Sequence, residues 1–212
     1  MKGSDNMEMS LSKRRIVDEA LKLFSTNGYE ATSIEQITNA VGIKKASFYS
    51  HFKSKQEVLD LLIEEIEERY ESYSQSLKKD WEAAGGNCKE TIQYTAEDVF
   101  KSVEKQFEFL IYDSFFCMAR NFLTIEQFRN PRLASLQNKC EYIDALNYHK
   151  KVIQYLIQKG VLVDRGIEIM AYEFFSPIYV QFYQIQKKPE CKEEAMKIVE
   201  KHINHFFTTY SK

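Results

Sequence analysis

The run Lys44-Lys45-Ala46-Ser47-Phe48-Tyr49-Ser50-His51-Phe52 combines two cations and several small side chains with two phenylalanines four residues apart. On a helix with Phe48 and Phe52 turned inward, Ala46, Tyr49 and Ser50 face outward and Ser47 lies at the flank. Small side chains let a helix backbone approach base edges in the major groove of DNA, and Lys44-Lys45 sets two positive charges at the groove entrance. The Ala46 methyl suits contact with a thymine methyl. Two readings stand for Tyr49 and for His51: contact with phosphate or base, or a place in the junction between helices. Thr32 and Ser33 precede a second helix, whose N-terminal amides and dipole suit a phosphate, and Lys55 is a further phosphate candidate. Capping and solvation are the alternative for all three, and capping can coexist with phosphate binding.

Such a surface needs scaffold helices to hold it. The first is expected from near Ser12 to Asn27, with Ile16, Ala20, Leu21, Leu23 and Phe24 on one face and Asn27-Gly28 as its stop. Thr32 or Ser33 caps the second, with Glu35 or Gln36 completing a capping box, and it ends near Val41-Gly42. Gly42 is the turn, where a side chain is expected to crowd the bend. The third helix covers 44–52. Ser54 with Glu57 opens a long fourth helix carrying Val58, Leu62, Ile66, Tyr70 and Tyr73 inward and Glu64, Glu65, Glu67 and Glu68 toward solvent.

These spacings resemble the tetracycline-repressor (TetR/AcrR) family of bacterial regulators. The likeness runs from Ile16 to Leu62 through Ile16…Ala20…Leu23-Phe24, Gly28-Tyr29, Ala31-Thr32-Ser33-Ile34, Ile37, Ala40-Val41-Gly42-Ile43, Phe48-Tyr49-Ser50-His51-Phe52 and Ser54-Lys55. It implies an all-α protein: a helix-turn-helix DNA-binding domain over 1–55, then a helical ligand-binding and dimerisation domain over 56–212. Two sequence positions depart from the family pattern. Lys44 stands where a small hydroxyl residue commonly caps the recognition helix, which a lysine side chain cannot do, and Ala46 replaces a common glycine.

The charge distribution agrees. Residues 1–55 carry nine Lys and Arg against six Asp and Glu, whereas the whole chain has a net charge of −2. Seven glycines and three prolines in 212 residues favour long helices over hairpins. The four cysteines, Cys88, Cys117, Cys140 and Cys191, are at least 23 residues apart, which fits reduced thiols in a cytoplasmic protein better than a metal or redox motif. Neither a signal peptide nor a membrane span is expected.

Beyond the fourth helix, a break is expected at Glu82-Ala-Ala-Gly85-Gly86-Asn87, then helical pattern from Lys89 to Gly160 interrupted at Asn130-Pro131, and two final helices near 167–187 and 191–210. Pro177 should kink the first of these. The resemblance implies that these two helices form a homodimer's four-helix bundle. Phe107, Ile111, Phe115, Met118 and Phe122 recur at helical spacing, as a core does; as a set they also suit a cavity for a flat hydrophobic ligand, with Glu108, Asp113, Asp144 or Glu173 adding a charge. His202 and His205 are placed beside Phe206 in the bundle, a shared metal being the weaker reading.

No nucleophile–base pair or glycine-rich phosphate loop is present, and no cofactor is expected. The expected function is a ligand-responsive transcriptional repressor, not an enzyme. It binds a palindromic double-stranded operator as a dimer, with the fourth helix as lever, and a small hydrophobic inducer releases it. The alternative is a helical protein with a non-DNA role, either an enzyme or a protein-interaction module.

Overall fold

In the computed structural model, which describes residues 10–85 and 95–211, helix follows helix. In order these are α1 (Leu11–Asn27), α2 (Ile34–Val41), α3 (Lys45–Tyr49), α4 (Lys55–Gly85), α5 (Ala96–Tyr112), α6 (Ser114–Glu126), α7 (Pro131–Asn138), α8 (Asp144–Gln158), α9 (Ile167–Lys187) and α10 (Lys192–Tyr210). A π-helical turn at Lys139–Ile143 leads α7 into α8, and a 3₁₀ turn at Pro189–Cys191 leads into α10. Among the described residues the extended pairing is a single bridge, Leu162 with Ser211. The all-α expectation holds. The break expected from Glu82 begins later than that, because α4 continues through Gly85; Gly86, Asn87 and Cys88 lie outside the described residues.

Local chemistry sets the ends. Ser10 caps α1, accepting from the Lys13 N–H, and Gly28 closes it with φ +82°. Asp113 takes the N–H groups of Phe115 and Phe116 at 2.9 and 3.1 Å, starting α6. The Asn130 side chain caps α7 in the same way, accepting from Arg132 and Leu133, with Pro131 at the first helical position.

Two compact units result, and they cut across chain order. The first joins the residues up to Tyr70 with Met118–Gln137; the second joins Glu71–Cys117 with the residues from Asn138 onward. In the first, Ile16, Val17, Ala20, Leu21 and Phe24 of α1, Val58, Leu62 and Ile66 of α4 and Phe122 and Leu123 of α6 are all buried, with Phe24 stacked on Phe122. Val17, not Leu23, completes the inner face of α1. The acidic side of α4 also differs from expectation. Glu65 turns into the α1–α4 seam, where it accepts from Arg14 at 2.8 Å and from Arg69 at 2.6 Å.

The second unit packs α9 and α10 on each other and on α5 and α8, through Val103, Phe107, Ile153, Met170, Phe174, Ile178, Phe182, Ile203 and Phe206. α9 continues through Pro177 as one helix from Ile167 to Lys187. The proline removes one N–H from the ladder, and His202 reaches in beside it, its Nε2 3.0 Å from the Phe174 carbonyl. That contact occupies the His202 ring, while His205 is exposed.

The pocket candidates divide between the two units. Phe107 packs edge-on against Phe182 at 5.1 Å in the second unit, with Ile111 partly buried on the same core. Phe122 is fully buried in the first unit, stacked on Phe24 at 5.6 Å, and Met118 belongs to that unit also. Helical spacing reports that these residues face a core and not which one. The four carboxylates are likewise engaged: Asp113 in its cap, Glu108 with Lys192, Asp144 with Lys139, and Glu173 with the Tyr210 hydroxyl.

His149 sits in the second unit against Phe174 and Phe175, with ring centroids 5.2 and 5.3 Å away. Burial disfavours its charged form and pushes its pKa down to about 4 from 6.5. Between those values the unfolded chain binds the extra proton, so stability is complete above about pH 6.5 and declines toward pH 4. The loss from this group should reach about 3 kcal/mol. Urea unfolding at several pH values should show His149→Phe with a shallower decline than wild type across that window; an equal slope would contradict this account.

Candidate nucleic-acid interface

The surface centred on α3 is built by anchoring it from beneath. Phe48 is fully buried and Phe52 nearly so, their rings 5.7 Å apart. Around them Lys44, Lys45, Ala46, Ser47, Tyr49 and Ser50 are all exposed, Tyr49 at 50%. The outward face expected from spacing is therefore present. The helix is shorter than expected: it ends at Tyr49, and Ser50 and His51 form the turn that returns to Phe52 through N–H bonds to the carbonyls of Ala46 and Phe48. His51 is half-buried. The Ser50 hydroxyl donates to the Ser47 carbonyl at 2.7 Å, so it meets a ligand as an acceptor.

α2 carries the capping box in full at Ser33. The Ser33 hydroxyl accepts the Gln36 N–H at 3.1 Å, and the Gln36 side chain accepts the Ser33 N–H at 2.7 Å. Its other end closes on Gly42, at φ +77° and ψ 34°. A Cβ built at Gly42 meets nothing within 4 Å, which corrects the expected crowding: the left-handed backbone, and not space, asks for glycine. Arg15 of α1 then donates to the Val41 carbonyl at 2.8 Å, fixing the end of α2 where the turn begins. Lys13 lies 5.0 Å above the Phe52 ring.

Two phosphate candidates take on different roles. Thr32 is fully buried, and its hydroxyl donates to the Gly28 carbonyl at 2.8 Å, so its side chain is a structural strut and is withdrawn from the surface. Ser33 remains exposed at the α2 N-terminus. Lys55 donates to the carbonyls of Tyr29 and Thr32 at 2.7 and 2.8 Å, and its ammonium stands 4.0 Å from the Tyr29 ring centroid. Two of its three N–H groups are thus committed, leaving one for an anion.

Sequence reasoning missed the contacts that brace this surface from a distance. Arg15 was legible only as one cation in a basic run, and Glu126, which accepts the Tyr29 N–H at 2.8 Å, lies 97 residues from its partner. A pairing of that reach leaves no local spacing to read.

Lys44 occupies the N-cap of α3 with φ −76° and ψ 149° and makes no side-chain cap bond, as its chemistry requires. The backbone already suits a hydroxyl cap. Lys44→Ser should raise stability by about 0.5–1 kcal/mol. Denaturant midpoints measure this, and an unchanged or lowered midpoint would refute it.

Comparison with known proteins places this geometry. Residues 16–62 match the profile of bacterial regulatory proteins, tetR family. The negative transcriptional regulator of the biofilm operon icaADBC, IcaR, from Staphylococcus epidermidis is 46% identical over 46 residues, which is 22% of this chain and 25% of that protein. IcaR from Staphylococcus aureus is 46% identical over 48 residues, 23% of this chain and 26% of that one. The chain thus matches about a quarter of the length of these curated relatives. At the level of fold, a protein described as a TetR-family transcriptional regulator from Mesorhizobium loti superposes with a TM-score of 0.66 at 16% identity, covering 97% of this chain and 99% of that one. SmeT, the repressor of the Stenotrophomonas maltophilia multidrug efflux pump SmeDEF, gives 0.63 at 18% identity, covering 96% and 92%. A complex of SmeT with triclosan gives 0.64 at 19%, covering 95% and 92%. The chain's N-terminal helices thus match the tetR-family profile, and along nearly its whole length the chain shares the fold of these solved regulators.

Proposed function

We propose that the chain is a ligand-responsive transcriptional repressor that binds a palindromic operator as a homodimer and is released by a small hydrophobic inducer. The observation that carries this reading is the face of α3: two lysines and a set of small side chains exposed around a fully buried Phe48. On this reading Lys44 and Lys45 meet phosphates at the groove edge, Ala46, Ser47 and Tyr49 approach base edges, and Ser33 and Ser50 meet backbone or sugar. His51 and the remaining N–H of Lys55 flank the site. The likeness to IcaR, a negative regulator, supports repression.

Dimerisation through α9 and α10 is supported by apolar side chains left exposed on them, among them Ile169, Tyr172, Val180, Tyr183 and Ile198. A two-fold dimer would set two α3 helices about 34–36 Å apart, one turn of DNA. The aromatic core of the second unit is the candidate place for the inducer, and SmeT, of like fold, forms a complex with triclosan. A ligand favouring a dimer with the wrong spacing shifts the population away from the DNA-bound form, with α4, which begins in the first unit and ends in the second, as the lever. No helix among the described residues is long and apolar enough to cross a membrane, which is compatible with a cytoplasmic site of action.

Fluorescence anisotropy on duplex DNA from upstream of the gene, at several salt concentrations, tests the reading. The Lys44→Ala/Lys45→Ala variant should weaken binding to all duplexes alike and flatten the log–log salt slope by about 1.8. Substitution of Ser47 should instead change which duplex is preferred, at about 1–3 kcal/mol per lost base contact. A wild-type chain with no salt-dependent affinity for any duplex would overturn the proposal, as would identical affinities with and without compounds that raise its melting temperature.

A further inference from the structure

The loop between α1 and α2 is gripped by two charged side chains from distant parts of the first unit. From the end of α6, the Glu126 side chain accepts the Tyr29 N–H at 2.8 Å. From the start of α4, the Lys55 ammonium donates to the Tyr29 carbonyl and, three residues on, to the Thr32 carbonyl. Gly28 makes room for the first of these grips: a Cβ there would stand 2.8 Å from the same Glu126 oxygen.

Glu126 is 2% exposed on α6, where Ala119, Phe122 and Leu123 are its buried apolar neighbours and Arg120, a turn and a half earlier, is a second buried charged side chain. Packing alone has no use for a carboxylate at that place, since Met or Leu fills the same volume without desolvating a polar group. What a carboxylate supplies is a directional acceptor, and the donor it meets is the peptide N–H four residues before Ser33, the N-cap of α2. From that cap α2 runs for two turns into Gly42 and the start of α3. An N–H fixed at Tyr29 therefore fixes where the α2–α3 pair begins.

We propose that Glu126 is a positioning residue for the α2–α3 pair, acting through the Tyr29 N–H, so that α6 sets where the exposed face of α3 stands. The structural step is independent of any ligand. Its consequence for DNA affinity rests on the function proposed above.

The full chain, labelled with ¹⁵N, is to be compared as wild type, Glu126→Gln, which keeps an acceptor, and Glu126→Met, which keeps the volume and removes it. Hydrogen exchange is followed at Tyr29, at Ile37, Gly42 and Phe48 of the α2–α3 pair, and at Leu62 of α4 as reference. In the Met variant, exchange at Tyr29 and across the pair should quicken about tenfold while Leu62 is unchanged, and the Gln variant should stay within about threefold of wild type. Affinity for upstream duplex DNA should fall about tenfold for Met and recover for Gln, because only the correctly placed pair is competent to bind. Unchanged protection in the Met variant, equal acceleration throughout the first unit, or a Gln variant that behaves as Met would each overturn the proposal. So would quickened exchange with undiminished DNA affinity. If the wild type binds no duplex, the exchange measurements still decide the role of Glu126, and the failure belongs to the DNA-binding reading. Should the Met variant not fold, Glu126→Asp withdraws the oxygen by one methylene while keeping the charge, and the same outcomes apply.

Discussion

The whole interface hangs on the burial of Phe48. A helix of five residues is below the length at which helical structure sustains itself in water, because nucleation costs more than one turn of hydrogen bonds returns. α3 also lacks a side-chain cap at Lys44. Its stability must come from tertiary packing, and burying one phenylalanine side chain is worth about 1.5–3 kcal/mol. With Phe48 and Phe52 in the core beneath it, every other side chain from Lys44 to Ser50 is released to the surface. Burial and display are thus one event.

This explains how much of the protein was legible in its sequence. Signals that act within four residues were read correctly: the Ser33–Gln36 capping box, the glycines that close α1 and α2, and the phenylalanine pair that orients α3. Contacts that close long loops were not. Thr32 and Lys55 look alike as polar residues at helix starts, yet one is buried on the Gly28 carbonyl and the other is turned onto the loop. Phe122 continues the helical spacing of Phe107 and Phe115 and nonetheless belongs to another core, because residues 118–137 pack with the N-terminal helices. Periodicity gives the inner face of a helix and leaves its partner unspecified.

Electrostatics followed the same division. The basic character of the N-terminal segment is a sum over residues and was visible in the sequence, whereas the use of each charge was not. Arg14 is divided between Asp18 on its own helix and Glu65 on α4, and those carboxylates, Asp18 foremost, hold its guanidinium firmly charged against the cost of burial. Arg15, its neighbour, neutralises the C-terminal carbonyl of α2. Adjacent and chemically identical residues therefore lock different seams, and neither is spent on the exposed face. On the exposed face of α3 the positive charge available to a polyanion is that of Lys44 and Lys45.

Apolar packing and polar contacts divide the labour of holding such a surface in place. The side chains between α1, α4 and α6 are closely buried, but hydrophobic burial is non-directional and changes little when helices slide by a fraction of an ångström. A hydrogen bond at 2.8 Å has no such tolerance, since it weakens steeply with angle and distance. The three contacts that reach the ends of the α2–α3 pair, Arg15 to Val41, Lys55 to Tyr29 and Thr32, and Glu126 to Tyr29, all terminate on backbone groups. Because they grip the main chain, they specify position without constraining which side chains the neighbouring surface carries. A scaffold held in this way can keep its geometry whichever side chains stand at positions 44 and 46.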